Sequence, residues 1–236
     1  MQVAAGCCAL MAMVCAGRAQ AQAPAQHKTE NVIVLMMDGM RWEDVFRGAD
    51  QELIKTQGSD ALDNAKGRTA LAEKRYWRDT AEKRKEALMP FLWSTVVTEG
   101  QLFGNRDLGA DSHVANPLHF SYPGYSETLT GLVDPRIDSN DNVPNPNVTV
   151  FEWLNRKPEF AGKVAAFGAW EVFDGIFNKQ RCGFVVNAGY EPLTSIPQTP
   201  TLALLNSLKA ETVRIWPDES FDPMPFHTAT EYLKAE

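Results

Sequence analysis

The sequence has little cysteine and histidine, and it lacks a long apolar run. Four cysteines and four histidines occur among 236 residues. Three of the cysteines, Cys7, Cys8 and Cys15, fall in a segment that reads as an export signal, so Cys182 alone is left in the mature chain. A single cysteine excludes an internal disulfide. The apolar stretch near the N-terminus is too short for a membrane span, and no later stretch supplies one.

A sustained basic stretch is also lacking. The 30 acidic residues outnumber the 23 lysines and arginines, which gives a formal net charge of -7 and a pI near 5.2. Because nucleic-acid binding depends on a positively charged surface, the composition argues against nucleic acid as the main partner. The cluster Lys83-Arg84-Lys85 lies in a segment of mixed charge and is typical of a solvated helix face.

The N-terminal residues predict export. An apolar core from about Val3 to Ala16 is followed by alanines at every second position up to Ala23, which suit signal peptidase. We therefore divide the chain into a signal peptide at residues 1–23, a linker at 24–30 and one α/β domain at 31–236. The mature protein is expected in the periplasm or outside the cell, with no membrane attachment after signal cleavage.

The stretch NVIVLMMDGM opens the domain. Six apolar residues, Val32–Met37, run into Asp38 and Gly39, a pattern typical of a strand buried on both faces of a parallel sheet. Ligands of open α/β sheets bind outside the carboxyl ends of the strands, so Asp38 would point into the functional crevice. Alternatively, Asp38 caps the helical segment Trp42–Phe46, because aspartate is a favoured N-cap and Asp-Gly is a common turn.

The rest of the chain alternates helical and strand-like segments. A charged helical region spans about Ala61 to Gly100, with Pro90 as a kink or restart. Short strands are predicted at QLFGN, SHVAN, KVAAFGAW and CGFVVNAGY, and helices at VTVFEWLN, TPTLALLNSLKA and PFHTATEYLKAE. The Asn- and Pro-rich residues 139–149 cannot be regular structure. This alternation predicts an α/β layered fold with a mostly parallel sheet.

The stretch NPLHFSYPGYSETLTGL has the features of a helix with a serine at its start. Pro123 lies just inside the predicted N-terminus, and Gly131 lies just beyond the C-terminus. Ser121 then lies where unpaired N–H groups and the helix dipole favour an anion, whether a phosphate or the alkoxide of the serine itself. The simpler interpretation is that Ser121 is only an N-cap. A rival nucleophile is Ser126 in GYSET, a near match to the G-x-S-x-G elbow in which Thr128 replaces the second glycine.

Together, the two stretches resemble the alkaline phosphatase superfamily, especially its nucleotide pyrophosphatase/phosphodiesterase-like branch. IVLMMDGM is similar to the first strand of the superfamily with its metal-binding aspartate, and SYPGYSETLTG is similar to its nucleophile helix. The resemblance implies a three-layer αβα sandwich with a mostly parallel sheet. It also implies a metal-dependent hydrolase of phosphoric esters, of phosphatase or phosphodiesterase type, with a small phosphorylated substrate. A sulfatase is disfavoured, because SYPGY lacks the arginine of the Cys/Ser-x-Pro-x-Arg motif.

The resemblance assigns roles to individual residues. Asp38 would be a ligand of one divalent metal ion, and Ser121 would be the nucleophile that touches that ion and forms a phosphoseryl intermediate. Metal coordination lowers the pKa of a serine hydroxyl enough for attack on phosphorus. Zinc is the commonest metal of the superfamily, and two oxygen ligands equally suit manganese or magnesium. In the phosphodiesterase-like branch an asparagine after the helix binds a phosphoryl oxygen, and by spacing the best match is Asn142, with Asn140 and Asn145 close by. Alternatively, these are only turn asparagines of an Asn- and Pro-rich loop.

The sequence departs from the superfamily in the ligands that complete two metal sites. These come mainly from segments similar to Asp-x-x-x-His and Asp-His-Gly, and neither occurs here. The histidines His27, His113, His119 and His227 cannot complete two sites that each need about three or more protein ligands. We therefore expect an incomplete second metal site, a chain that matches only the N-terminal part of such an enzyme, and little activity from the chain alone.

Two other classes of function stay open. One is a non-catalytic anion-binding or scaffold protein of the same fold, which would use the helix N-terminus at Ser121 as its pocket. The other is a metal-independent serine esterase that acts through Ser126. Substitution of each serine by alanine separates the three interpretations. A phosphoric ester hydrolase would lose activity only on substitution of Ser121, and a serine esterase only on substitution of Ser126. A non-catalytic protein would lose no activity on either substitution.

Overall fold

The computed structural model describes residues 29–56 and 65–235, without the side chains of residues 65–67. The predicted signal peptide and most of the predicted linker lie outside these residues. Within the described part, the chain is α/β, with a two-stranded parallel sheet and eleven α-helices. No helix of this part is long and apolar enough to cross a membrane.

Helices make up most of the regular structure of the described residues, and two of the predicted strands form. The α-helices are α1 (Trp42–Arg47), α2 (Gln51–Thr56), α3 (Ala65–Tyr76), α4 (Ala81–Leu88), α5 (Val97–Glu99), α6 (Ser121–Thr130), α7 (Val150–Asn155), α8 (Phe173–Ile176), α9 (Lys179–Cys182), α10 (Pro200–Glu211) and α11 (Pro223–Ala235). A π-helical segment spans Leu92–Val96, and a single 3-10 turn spans Arg106–Leu108. The strands are β1 (Ala165–Gly168) and β2 (Val185–Ala188).

Threonines and prolines fix the starts of several helices. Thr80, Thr149 and Thr199 have extended backbones, and each side chain accepts the main-chain N–H three residues on. This contact satisfies a donor that the first helical turn leaves unpaired. Pro200 follows Thr199 at a position where a missing N–H costs nothing. Pro90 begins a helical stretch that continues into the π-helical segment, which confirms the predicted restart.

The sheet pairs β1 with β2 in parallel. On one face, Ala165, Phe167 and Val185 pack against a cluster of buried side chains from α10, α11 and the loop before α10. This cluster consists of Leu193, Ile196, Leu202 and Tyr232. The alternate residues Ala166 and Val186 point to the opposite face and are also buried. Both faces of the sheet are therefore covered, as parallel sheets require.

Several predicted elements are confirmed. KVAAFGAW contains β1, and CGFVVNAGY contains β2. The helices predicted at VTVFEWLN, TPTLALLNSLKA and PFHTATEYLKAE correspond to α7, α10 and α11. Residues 139–149 form no regular element, as their asparagines and prolines predict. The local signals of capping, turn chemistry and apolar runs were sufficient for these segments.

The predicted strand Val32–Met37 is wrong. Residues 29–37 form neither helix nor strand, and apolar side chains of this segment are exposed, with Val32 at 79% and Leu35 at 76%. A strand is stabilised by hydrogen bonds to a neighbouring strand, and these residues form no such ladder in the described part of the chain. The apolar pattern predicts that these residues tend to be buried, but it does not show whether a neighbouring strand is present to pair with them.

The strands predicted at QLFGN and SHVAN do not form either. In the first, Gly104 has a φ of +86°, which bends the chain out of an extended path. In the second, the main-chain N–H groups of Ala115 and Asn116 donate to the carboxylate of Glu127 on α6. Donors that a neighbouring strand would use are thus satisfied by a side chain. His113 lies in this loop and is exposed.

Lys209 ties α10 to the carboxyl end of β2. The side chain is 1% exposed, and its Nζ donates to Asn187 Oδ1 and to the carbonyl of Glu191, both at 2.9 Å. Burial lowers the pKa of Lys209 to about 8, because the charged form loses its water, while the charge of Glu191 acts in the opposite direction. The protonation state of the buried Lys209 amine therefore changes at mildly alkaline pH.

We expect Lys209 to make the free energy of unfolding rise between about pH 8 and about pH 10. In the unfolded chain the lysine keeps its proton up to its ordinary pKa of 10.5, so the unfolded state binds more protons than the folded state in this window. Urea denaturation at several pH values should show that Lys209→Met lacks this part of the rise. Lys234→Met, at an exposed lysine, is the matched control, and an equal rise in both variants would contradict the prediction.

Candidate functional site

Helix α6 carries both candidate nucleophiles. It begins at Ser121, with Phe120 extended at the N-cap position, and it ends at Gly131, whose φ of +71° gives a left-handed C-cap. Pro123 lies in the first turn, where its missing N–H costs nothing. Ser121 is therefore the first residue of the helix and not its N-cap. The predicted helix and both of its boundaries are confirmed.

The first turn of α6 has few free donors apart from Ser121. Ser121 is half-buried, and its hydroxyl makes no hydrogen bond to any residue in the described part of the chain. The main-chain N–H of Tyr122 donates to Asn140 Oδ1 at 3.0 Å. Pro123 has no N–H to donate. The free groups at this helix end are thus the hydroxyl and the N–H of Ser121.

The three candidate asparagines lie in different surroundings. Asn140 is exposed, and its side chain contacts the start of α6. Asn142 is also exposed, and its Nδ2 lies 3.5 Å from the carbonyl of Glu171. Asn145 is fully buried, and its Nδ2 donates to Ser126 Oγ at 3.0 Å. Asn140 is therefore the one of the three that the structure brings to the first turn of α6, and a phosphoryl-binding role for Asn142 stays a prediction.

Ser126 lies in the middle of α6 and is 2% exposed. A nucleophile elbow presents its serine on a sharp turn between a strand and a helix, whereas Ser126 has helical residues on both sides. Its Oγ accepts a hydrogen bond from the buried amide of Asn145. Ser126 also lines a pocket of about 210 Å³ that has Pro117, Pro123 and Pro135 in its walls. This geometry supports a structural role for Ser126 and removes the basis for a serine esterase elbow.

Asp38 lies in an acidic environment close to α6. It forms a turn with the next residue, whose N–H it accepts at 2.6 Å, and it does not cap α1. Burial raises the pKa of Tyr125 to about 12, and the nearby charge of Asp38 adds to this effect. Burial also raises the pKa of Glu219, with further contributions from the carboxylates of Asp218, Asp222 and Asp38. The charges of Asp38 and Glu219 therefore both act on Tyr125, a residue of α6.

The described residues do not fit a complete metal site. No three His, Cys, Asp or Glu side chains of this part are placed to hold a metal ion. Asp38 and Ser121 supply two oxygen donors, and a protein site needs about three or more ligands. His119 is exposed, and His227 is exposed on α11, where a helix face was predicted. Metal binding by Asp38 and Ser121 stays a prediction.

Comparisons with known protein families, with curated proteins and with solved structures find no match for this chain. A functional assignment therefore depends on the geometry around α6 and on the two stretches of sequence that resemble a known superfamily.

Two residues near the site were not predicted from the sequence. Tyr122 is 2% exposed, and its phenol O–H donates to the carbonyl of Val143 at 2.6 Å. Arg181 donates to main-chain carbonyls of the same loop, at Asn145 and Asn147. Both contacts join residues that lie far apart in the sequence, so no local pattern could have indicated them.

We expect Ser126→Ala to lower the free energy of unfolding by about 1–3 kcal/mol, because the buried amide of Asn145 loses an acceptor. Hydrolysis of p-nitrophenyl acetate, if any is measured, should be unchanged. Urea denaturation and the ester assay test the two parts. Thr128→Ala, at an exposed position of the same helix, is the matched control. Loss of hydrolysis without loss of stability would instead identify Ser126 as a nucleophile.

Proposed function

We propose that this chain is a phosphoric ester hydrolase, of phosphatase or phosphodiesterase type, that acts through Ser121 on the scaffold of a three-layer αβα sandwich. The observation that carries the proposal is the free, half-buried hydroxyl of Ser121 at the first position of a ten-residue helix. The resemblance to the alkaline phosphatase superfamily supports a divalent metal cofactor, and the N-terminal pattern supports a periplasmic or secreted location. The metal cofactor and the location are both parts of the proposal.

The proposed reaction has two displacements at phosphorus. Ser121 Oγ attacks, the Oγ–P bond forms, the bond to the leaving oxygen breaks, the serine proton passes to solvent and the leaving oxygen is protonated from solvent. Water then cleaves the phosphoseryl bond and restores the hydroxyl. The N–H of Ser121 and the amide N–H groups of Asn140, which have no partner among the described residues, are donors for the phosphoryl oxygens.

A site that only binds anions has less support. Such a site would use several free N–H groups of a helix end, but the N–H of Tyr122 already donates to Asn140 and Pro123 has none. The distinctive group of this helix end is therefore the serine hydroxyl and not its set of donors.

We expect the chain to hydrolyse p-nitrophenyl phosphate and bis-p-nitrophenyl phosphate slowly or not at all with added zinc or manganese, because two oxygen donors hold a metal ion weakly. Inorganic phosphate should nevertheless shift the NMR signals of residues 121–122 and of the Asn140 side chain. Ser121→Ala, checked by circular dichroism for an intact fold, is the control that should remove any residual hydrolysis.

Three outcomes of these measurements are informative. Hydrolysis that survives in Ser121→Ala contradicts the proposed nucleophile. Phosphate that leaves the signals of residues 121–122 unchanged contradicts the proposed site. Rapid metal-dependent turnover that Ser121→Ala removes would support the nucleophile, and it would show that further residues complete the metal ligands.

We expect Asn140→Ala to weaken the binding of inorganic phosphate at least tenfold, since a hydrogen bond to a charged group contributes about 1.5–3 kcal/mol. Asn140→Asp keeps an acceptor for the N–H of Tyr122 but loses the donor, so it should weaken binding at least as much. Asn142→Ala, from the same loop, tests the role that spacing favours, and an unchanged dissociation constant would leave the phosphoryl contact to Asn140. The reverse result, measured by titration calorimetry or NMR, would assign the role to Asn142.

A further inference from the structure

The irregular residues 139–149 are fixed on one side by Arg181. Its Nη1 donates to the carbonyl of Asn145 at 2.9 Å, and its Nη2 donates to that of Asn147 at 2.7 Å. The same guanidinium donates to both carboxylate oxygens of Glu152, each at 2.9 Å. Glu152 is fully buried. A guanidinium held by both oxygens of a buried carboxylate cannot turn without losing several hydrogen bonds at once.

Tyr122 holds the same loop on the other side. Its phenol O–H donates to the carbonyl of Val143, and its main-chain N–H donates to Asn140 Oδ1. Because Tyr122 directly follows Ser121, these two contacts join the loop to the first turn of α6. The place of Asn140 beside Ser121 therefore depends on anchors at both sides of the loop.

We infer that Arg181 and Tyr122 are positioning residues for the Ser121 site, which keep the amide of Asn140 beside the serine. The effect on ligand binding rests on the proposed function, but the anchoring itself can be measured without any activity. A loop without these anchors would sample many backbone conformations. A displacement of about 1 Å can lower the rate of an enzymatic reaction about 100-fold, so such anchoring is sufficient to decide whether the site works.

Hydrogen exchange at the main-chain N–H of Tyr122 reports whether Asn140 is in place, because Asn140 Oδ1 is the acceptor of this N–H. Arg181→Lys keeps the charge but loses the forked donor, and Tyr122→Phe loses only the phenol O–H. In both variants, the main-chain N–H of Tyr122 should exchange about tenfold faster than in the wild-type chain. The matched controls are Arg156→Lys, which shares the carboxylate partner of Arg181, and Tyr125→Phe on the same helix.

The controls separate local anchoring from general stability. Both control variants, and the amides of α10 in all four variants, should exchange within about twofold of the wild-type chain. The inference is overturned if exchange at Tyr122 is unchanged in Arg181→Lys and Tyr122→Phe. It is equally overturned if the controls or α10 accelerate to the same extent, because the loss would then be global.

Binding of inorganic phosphate supplies a second readout. Arg181→Lys should weaken binding about tenfold, and it should have no further effect when Asn140 is already alanine, because Arg181 acts through Asn140. Additive losses would overturn the positioning role. If the wild-type chain binds no phosphate at Ser121, the proposed function fails, whereas the exchange at Tyr122 still decides the inference about Arg181 and Tyr122.

Discussion

The ion pair between Glu152 and Arg181 is the interaction on which the surroundings of the candidate site depend. Burial disfavours the charged form of Glu152, but the hydrogen bonds and charges of Arg181 and Arg156 outweigh burial and lower the pKa of this carboxyl. An unpaired charge at a fully buried position is strongly destabilising, so the fold requires the guanidinium of Arg181 at this place. The donors of Arg181 that remain are then directed at the backbone of residues 139–149.

The interior beside α6 is polar but well satisfied. Asn145 donates to Ser126 and to the carbonyl of Ile176, and its own carbonyl accepts from Asn178 and Arg181. Buried polar groups are costly unless they are hydrogen-bonded, so each of these contacts depends on the others. Hydrogen bonds to side chains thus hold this irregular loop at several points. One of them joins an exposed asparagine of the loop to the start of α6.

Local signals in the sequence were sufficient for α6, α7, α10 and α11 and for the two strands that lie between helices, whereas the short helices α8 and α9 were not predicted. Threonine caps, prolines in first turns and glycines beyond last turns act over three or four residues, so they can be identified without knowledge of the fold. Strand formation requires a partner that the local sequence does not contain. Val32–Met37 shows this limit, because its apolar residues resemble a buried strand yet have no ladder in the described chain. In SHVAN, Glu127 replaces the missing neighbour as an acceptor.

The sequence by itself placed Ser121 at or just before the start of a helix, because Pro123 indicates the first turn of that helix and Gly131 its end. It also predicted an α/β chain, and its composition is acidic. Export of the chain stays a prediction. The tertiary structure decided which asparagine lies beside the serine. Spacing favours Asn142, but Asn140 accepts the N–H of Tyr122, 18 residues earlier in the chain. Such contacts depend on how the loop folds back between buried anchors, and this path is set by packing and charge pairing across the molecule.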